Sequence, residues 1–329
     1  MVGGAALLAD GIITPAITVS SAIEGLGIIY PGLPTVPIVI AIISCLFVIQ
    51  QFGTSLVGKS FGPIMFIWFT MMAVLGISYV IHDPAILMAI NPMYAYHTLV
   101  TNPNAFIILG AVFLCTTGAE ALYSDLGHCG RSNIRISWIY VKSCLLLNYF
   151  GQGVWLLQHQ GTSLNGDNPF YEIMPGWFLV IGIVIATAAA VIASQALISG
   201  SFTLVSEAVR LNLWPKVRIN YPTNQRGQLY VPSMNWLLWA GCIMVMLIFR
   251  ESAKMEAAYG LSITVAMLMT TILVTLYLHR KKYPMYLIVL FVTIYSIIEI
   301  TFLAGNLLKI LHGGWFTLLL GSIIFSDET

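Results

Sequence analysis

Charged side chains are scarce in this sequence: they make up 8% of its 329 residues, against roughly a quarter in an average soluble domain. A water-facing surface cannot be covered by so few ionic groups, so a soluble globular protein is excluded. The 14 basic and 13 acidic residues nearly cancel to a net charge of +1. The basic ones fall in short loop clusters and not in a continuous patch, which argues against nucleic acid as a partner. Only five cysteines occur (Cys45, Cys115, Cys129, Cys144, Cys242), without paired metal-ligand spacing and mostly inside apolar runs. They read as small packing residues, and no transition-metal site is expected. The chain has no HExxH, no GxSxG and no clustered histidines, so an intramembrane enzyme is not expected, nor any cofactor. A tandem selectivity-filter sequence such as TVGYG is also missing, which sets a channel aside. Met1 is followed at once by apolar and glycine residues without a basic segment, so no cleavable signal peptide is expected there.

What the chain has in abundance is apolar sequence, 58% of it. A bilayer crossing takes roughly 20 residues. On that measure the apolar segments are Ala5–Leu26, Val36–Gln51, Gly62–Ile81, Ala105–Tyr123, Ile136–Leu157, Trp177–Val205, Pro232–Phe249, Ala257–Leu278, Tyr283–Leu303 and Leu308–Phe325. The expected architecture is an all-α polytopic membrane protein: one transmembrane domain over 1–326 with about ten helices, a stub at 327–329 and no soluble domain. Trp177–Val205 is too long for one upright helix, and should tilt or continue towards Glu207 and Arg210. Lys59, Arg131, Arg135, Arg210, Lys216, Arg218, Arg226, Arg280, Lys281 and Lys282 lie in alternate loops, whereas the opposite loops carry only Arg250, Lys254 and Lys309. By the positive-inside rule the richer side is cytoplasmic, the C-terminus included. The location that follows is the cytoplasmic (inner) membrane, with the lipid bilayer as the surrounding partner.

Inside this apolar background, acidic residues stand out. LCTTGAEALYSDLGH, Leu114 to His128, places Glu120 in a segment read as lipid-buried, where a charge costs at least a few kcal/mol and marks a functional site by default. Thr116 and Thr117 precede Glu120 by four and three residues, which in a helix puts both hydroxyls on the carboxylate's side. Gly118 weakens the helix there and favours a local unwinding. Oxygens converging in this way suit a hard monovalent cation. A second polar stripe runs along ALLADGIITPAITVSSAIEGL, where Asp10, Thr14 and Thr18 recur every four residues. Pro15 interrupts that helix and frees the carbonyl of Gly11. With Met1 at the surface, Asp10 lies about 15 Å deep, near the midplane. Each threonine could equally bond back to a carbonyl of its own helix. Glu24 reads as an interfacial residue that caps or bonds a loop. Lys142 reads as snorkelling to the interface. Asp125 and His128 read as loop anchors.

These residues resemble the KUP/HAK/KT family of potassium-uptake permeases. DGIITPAITVSSAIEGL is similar to that family's third-helix motif and GAEALYSDLGHCG to its sixth. LNYFGQG (Leu147 to Gly153), NPFY (Asn168 to Tyr171), VIASQALISG (Val191 to Gly200) and AAYGLSIT (Ala257 to Thr264) are similar to later signatures. The similarity runs from about Gly3 to Ile324. It implies a leucine-transporter-like (APC superfamily) architecture of two inverted five-helix repeats around a midplane ion site. The chain would then supply family helices 3 to 12 and lack the first two helices, as well as the family's C-terminal domain. The resemblance also implies secondary active potassium uptake by K+/H+ symport. Its implied ion ligands are Asp10, Thr14, Thr18, Thr117 and Glu120, with Tyr259 secondary; the helical spacing read above adds Thr116, and Gly118 and Gly11 as backbone contributors. Of Asp10 and Glu120, one would balance the ion and the other carry the coupled proton. An amino-acid or other cation transporter on the same fold, or an inactive fragment, is the alternative. A homodimer stays open.

Overall fold

The structure, a computed structural model, describes residues 2–52, 55–118, 130–164, 168–221, 229–310 and 313–327. Almost all of it is helical. The order is α1 (Val2–Glu24), the short α2 (Leu26–Ile29), α3 (Thr35–Ile49), α4 (Ser55–His82), α5 (Pro92–Thr101), α6 (Ala105–Leu114) and α7 (Arg131–Gln158). After these come the one-turn α8 (Pro169–Glu172), α9 (Leu179–Arg210), α10 (Pro232–Phe249), α11 (Ser252–Arg280), α12 (Met285–Leu307) and α13 (Gly314–Asp327). Between α9 and α10, Asn220 and Tyr230 form one antiparallel bridge.

Seven of these helices are long and apolar enough to cross a membrane, fewer than the ten segments the sequence suggests. The three that fall short do so for different reasons. α6 has only 10 residues. α13 has 14. α7 is long enough at 28 residues, but Lys142, Asn148 and Gln152 dilute its apolarity. α9 settles the length question raised by Trp177–Val205. It runs on through 32 residues to Arg210, where Arg210 pairs with Glu207 at 3.0 Å on the exposed end.

The organising element is α1, which packs against α3, α9, α10, α11 and α13. Its small and branched residues make that possible: Ala9, Ile13, Ala16 and Val19 are fully buried. The outer helices turn large side chains outwards, among them Val184 on α9, Leu247 on α10, Leu273 on α11 and Ile297 on α12. An apolar surface of that extent suits hydrocarbon and not water. The pair α4 and α7 is held by glycine. A Cβ on Gly76 would overlap the carbonyl oxygen of Leu147, and one on Gly151 would lie 2.6 Å from Gly76 Cα. Small residues of this kind let two membrane helices approach backbone to backbone. Tyr140 adds a polar tie, donating to Phe66 O at 3.0 Å.

Two expectations about helix continuity need correction. α1 passes through Pro15 without a break, since losing one N–H donor does not end a long helix that is packed on several sides. One turn earlier, the Cys242 thiol of α10 donates to Ile12 O at 3.1 Å. Ala105–Tyr123 is not one helix. α6 stops at Leu114, and Gly118 adopts φ +106°, a left-handed conformation that glycine enters without steric cost.

Candidate ion site and the cavity beside it

The stripe on α1 is a hydrogen-bonded ladder. Thr14 Oγ1 donates to Asp10 Oδ1 at 2.7 Å, and Thr18 Oγ1 donates to the carbonyl of Thr14 at 2.6 Å. Asp10 is buried and Thr14 and Thr18 are half-buried. Ser194 on α9 reaches the ladder with its Oγ 3.3 Å from Thr18 Oγ1. Gly11 lies against α9 as well, where a Cβ would come 2.6 Å from Ser201 Oγ. A carboxyl buried at this depth needs partners, and Thr14 is one that its own helix supplies.

Opposite this stripe, Thr117 and Gly118 lie past the end of α6. Thr117 Oγ1 donates to Leu114 O at 2.9 Å and stands 3.3 Å from the Tyr259 hydroxyl of α11. Thr116 is exposed and donates to Phe113 O. The expectation that Thr116 and Thr117 share one helical face is therefore corrected: the helix has already ended, and only Thr117 meets Tyr259. Glu120, Asp125 and His128 lie outside the described residues. Thr18, Thr116 and Thr117 all bond back to carbonyls, as the plain packing reading of a membrane threonine allows.

Thr18 and Tyr259 share a cavity of about 490 Å³, which brings the α1 stripe and the α6–α11 pair to one space. Asn148, Tyr149 and Gln152 of α7 form its far wall, and Asn168 and Tyr171 close the end nearest Glu24. The Tyr171 hydroxyl donates to Ala22 O at 2.9 Å. Burial, with Glu24 adding to it, pushes that phenol up from its ordinary range.

Glu24 belongs to the scaffold. Its carboxylate accepts from Ser252 N at 2.7 Å, from Ser252 Oγ at 2.5 Å and from Ser20 Oγ at 3.1 Å. The N-cap residue of α11, Glu251, makes no side-chain cap bond, so α1 caps α11 across the fold. Lys142 sits 5.2 Å from the Trp138 ring, one turn back along its own helix. Sequence reading passed over Glu299, an acid inside an apolar run like those it singled out. It is 3% exposed on α12 and accepts from Thr271 Oγ1 at 2.6 Å, with Oε2 unpartnered among the described residues. Ser194 carried no comparable signal, because its role comes only from the packing of α9 on α1. Among the described residues no group of histidine, cysteine, aspartate and glutamate could hold a metal ion.

Buried polar residues on the central helix, a helix that ends at mid-sequence beside a shared cavity, and an apolar exterior define a multi-pass integral membrane protein. Residues 1–327 match the family model described as "K+ potassium transporter integral membrane domain", and the chain belongs to that family, one of transporters and not enzymes. It is 59% identical to the "Probable potassium transport system protein Kup" of Flavobacterium psychrophilum, over 98% of this chain and 50% of that protein. The protein of the same name from Cytophaga hutchinsonii is 61% identical with the same coverage. The "Probable potassium transport system protein Kup 1" of Lactococcus lactis subsp. lactis is 52% identical, again over 98% and 50%. The chain spans about half the length of the curated relatives it matches.

Proposed function

We propose that this chain forms the ion-binding part of a potassium-uptake permease that couples potassium entry to protons. The observation that carries the reading is the Asp10–Thr14–Thr18 ladder on the most buried helix, adjoining the cavity that also reaches Tyr259. Names of the relatives support potassium as the cargo. Carboxylate, hydroxyl and carbonyl oxygens can replace the hydration shell that potassium sheds on entering a narrow site. A potassium ion would lie between α1 and the segment after α6, with Asp10, Thr14, Thr18, Thr117 and Glu120 as its oxygen ligands. Thr116 and Gly118 would shape the turn, Tyr259 would position Thr117, and Gly11 would let α1 approach α9. Of the two acids, one balances the cation while the other takes up and releases the proton.

The architecture that accommodates these roles is the leucine-transporter-like inverted repeat, in which interrupted helices line a midplane site. The excess of basic residues in alternate loops supports a cytoplasmic C-terminus, and on that reading the Glu24 end of the cavity faces outwards. Growth of a potassium-uptake-deficient bacterium at low potassium tests the reading. The wild-type chain, expressed alone and with two upstream helices supplied, should restore growth in at least one form, and Asp10→Asn and Glu120→Gln should abolish it. Failure of both wild-type forms, each present in the membrane, would refute potassium uptake.

A further inference from the structure

We propose a second, uncharged cation station in the 490 Å³ cavity, with the side-chain carbonyl of Gln152 as its organising ligand. The inference rests on the potassium reading above and adds a site that reading does not use.

The argument turns on where each proton goes. Met72 O on α4 is a backbone carbonyl and can only accept, so the amide that meets it at 3.3 Å must be the nitrogen of Asn148. The oxygen of Asn148 is thereby turned the other way, and it accepts from Gln152 Nε2 at 2.5 Å. This fixes the orientation of Gln152 in turn. Its nitrogen is held by Asn148, and Oε1 is left as an acceptor that no described residue engages. The anchor is rigid, since Asn148 is 2% exposed, whereas Gln152 is only half-buried and lines the cavity. Amide orientations are otherwise ambiguous, but here a carbonyl that cannot donate decides both of them.

The same accounting applies to two hydroxyls on the wall. Thr18 commits its only proton to Thr14 O at 2.6 Å, and Tyr149 commits its proton to Cys115 O at 3.2 Å. Both therefore turn lone pairs, not protons, towards the space they line. With Gln152 Oε1, these two oxygens give their part of the wall acceptors that attract a cation. Among the described residues that line the cavity there is no Asp, Glu, Lys, Arg or His, and a station built from these neutral groups is weak and releases its ion readily, as a relay in a multi-site path must. The volume corresponds to roughly sixteen waters at about 30 Å³ each, so the ion would rest there partly hydrated, beside Thr18 and ahead of Asp10.

Rubidium serves as the probe. Equilibrium binding of radioactive rubidium to the full chain purified in detergent should resolve a tight and a weak component. Gln152→Leu should remove the weak one, and Asp10→Asn the tight one. Gln152→Glu should strengthen the weak component at least about tenfold, because a full charge then faces the ion. Should the leucine variant fail to fold, Gln152→Met keeps the volume without the carbonyl and is expected to behave the same way. A Gln152→Leu or Gln152→Met isotherm that superimposes on the wild type, while Asp10→Asn alters it, overturns the station and leaves the potassium reading intact. A wild-type chain that binds no rubidium at all overturns both.

Discussion

Glu24 ties the two helices that carry the candidate site, and removing it should be measurable in both stability and transport. Its carboxylate takes the N–H and hydroxyl of Ser252, the first residue of the 29-residue α11. Losing a helix cap costs about 0.5–2 kcal/mol. Losing a negative charge at a partly buried helix N-terminus costs about 0.3–2 kcal/mol. Glu24→Ala forfeits both contributions, about 2–3 kcal/mol, whereas Glu24→Gln keeps an acceptor and forfeits chiefly the charge, about 1 kcal/mol. With an unfolding entropy of about 2.1 cal/mol/K per residue, the alanine variant should melt about 3–4 °C lower and the glutamine variant about 1–2 °C lower. The assay is thermal unfolding of the purified chain in detergent. Tyr259 lies two turns beyond Ser252, so a loosened clamp should also move α11 relative to the Asp10 ladder and raise the KM for potassium. An alanine variant that melts within about half a degree of wild type would refute the reasoning.

Other perturbations test separate parts of the account. Thr271→Val leaves both oxygens of the buried Glu299 without a partner among the described residues and should cost about 1–3 kcal/mol. The double variant Thr271→Val with Glu299→Leu should recover much of that loss, because an apolar pair leaves no buried polar group unpaired; a double variant less stable than either single one would contradict this. Gly151→Leu drives a side chain into the backbone of α4 and should cost at least about 1–3 kcal/mol, visible as loss of the monodisperse peak in size-exclusion chromatography. Tyr171→Phe removes the hydroxyl that donates to Ala22 O and Ser21 O and should cost about 1 kcal/mol. The folded phenol titrates above the ordinary value of about 10, so its contribution is complete below that pH and is lost as pH rises through the raised value. The melting temperatures of Tyr171→Phe and wild type should therefore converge under strongly alkaline conditions.

The helical, membrane-crossing character of the chain was legible because it follows from composition and from run lengths. So was the polar stripe on α1, since a four-residue spacing of Asp10, Thr14 and Thr18 fixes a common face whatever surrounds the helix. Glu24 as a capping residue was legible as a type of role, but its partner Ser252, 228 residues away, was not. The end of α6 at Leu114 was not placed, because the segment was carried on to Tyr123, although an unwinding at Gly118 was expected within it. Only Gly118 hinted at the left-handed turn it makes. Continuity through Pro15 was missed because a proline rule written for isolated helices ignores the packing that holds α1 on several sides. Gln152 appeared only as part of a motif. Its orientation depends on Met72 and Asn148, and so on the packing of α4 against α7.

The central claim is that Asp10 and its threonines hold a transported potassium ion. It is tested most directly by rubidium uptake into proteoliposomes containing the purified chain, at an inward proton gradient. The account predicts gradient-driven uptake that is abolished by Asp10→Asn and has a raised KM in Thr14→Val. Uptake by Asp10→Asn at the wild-type rate and affinity would contradict it.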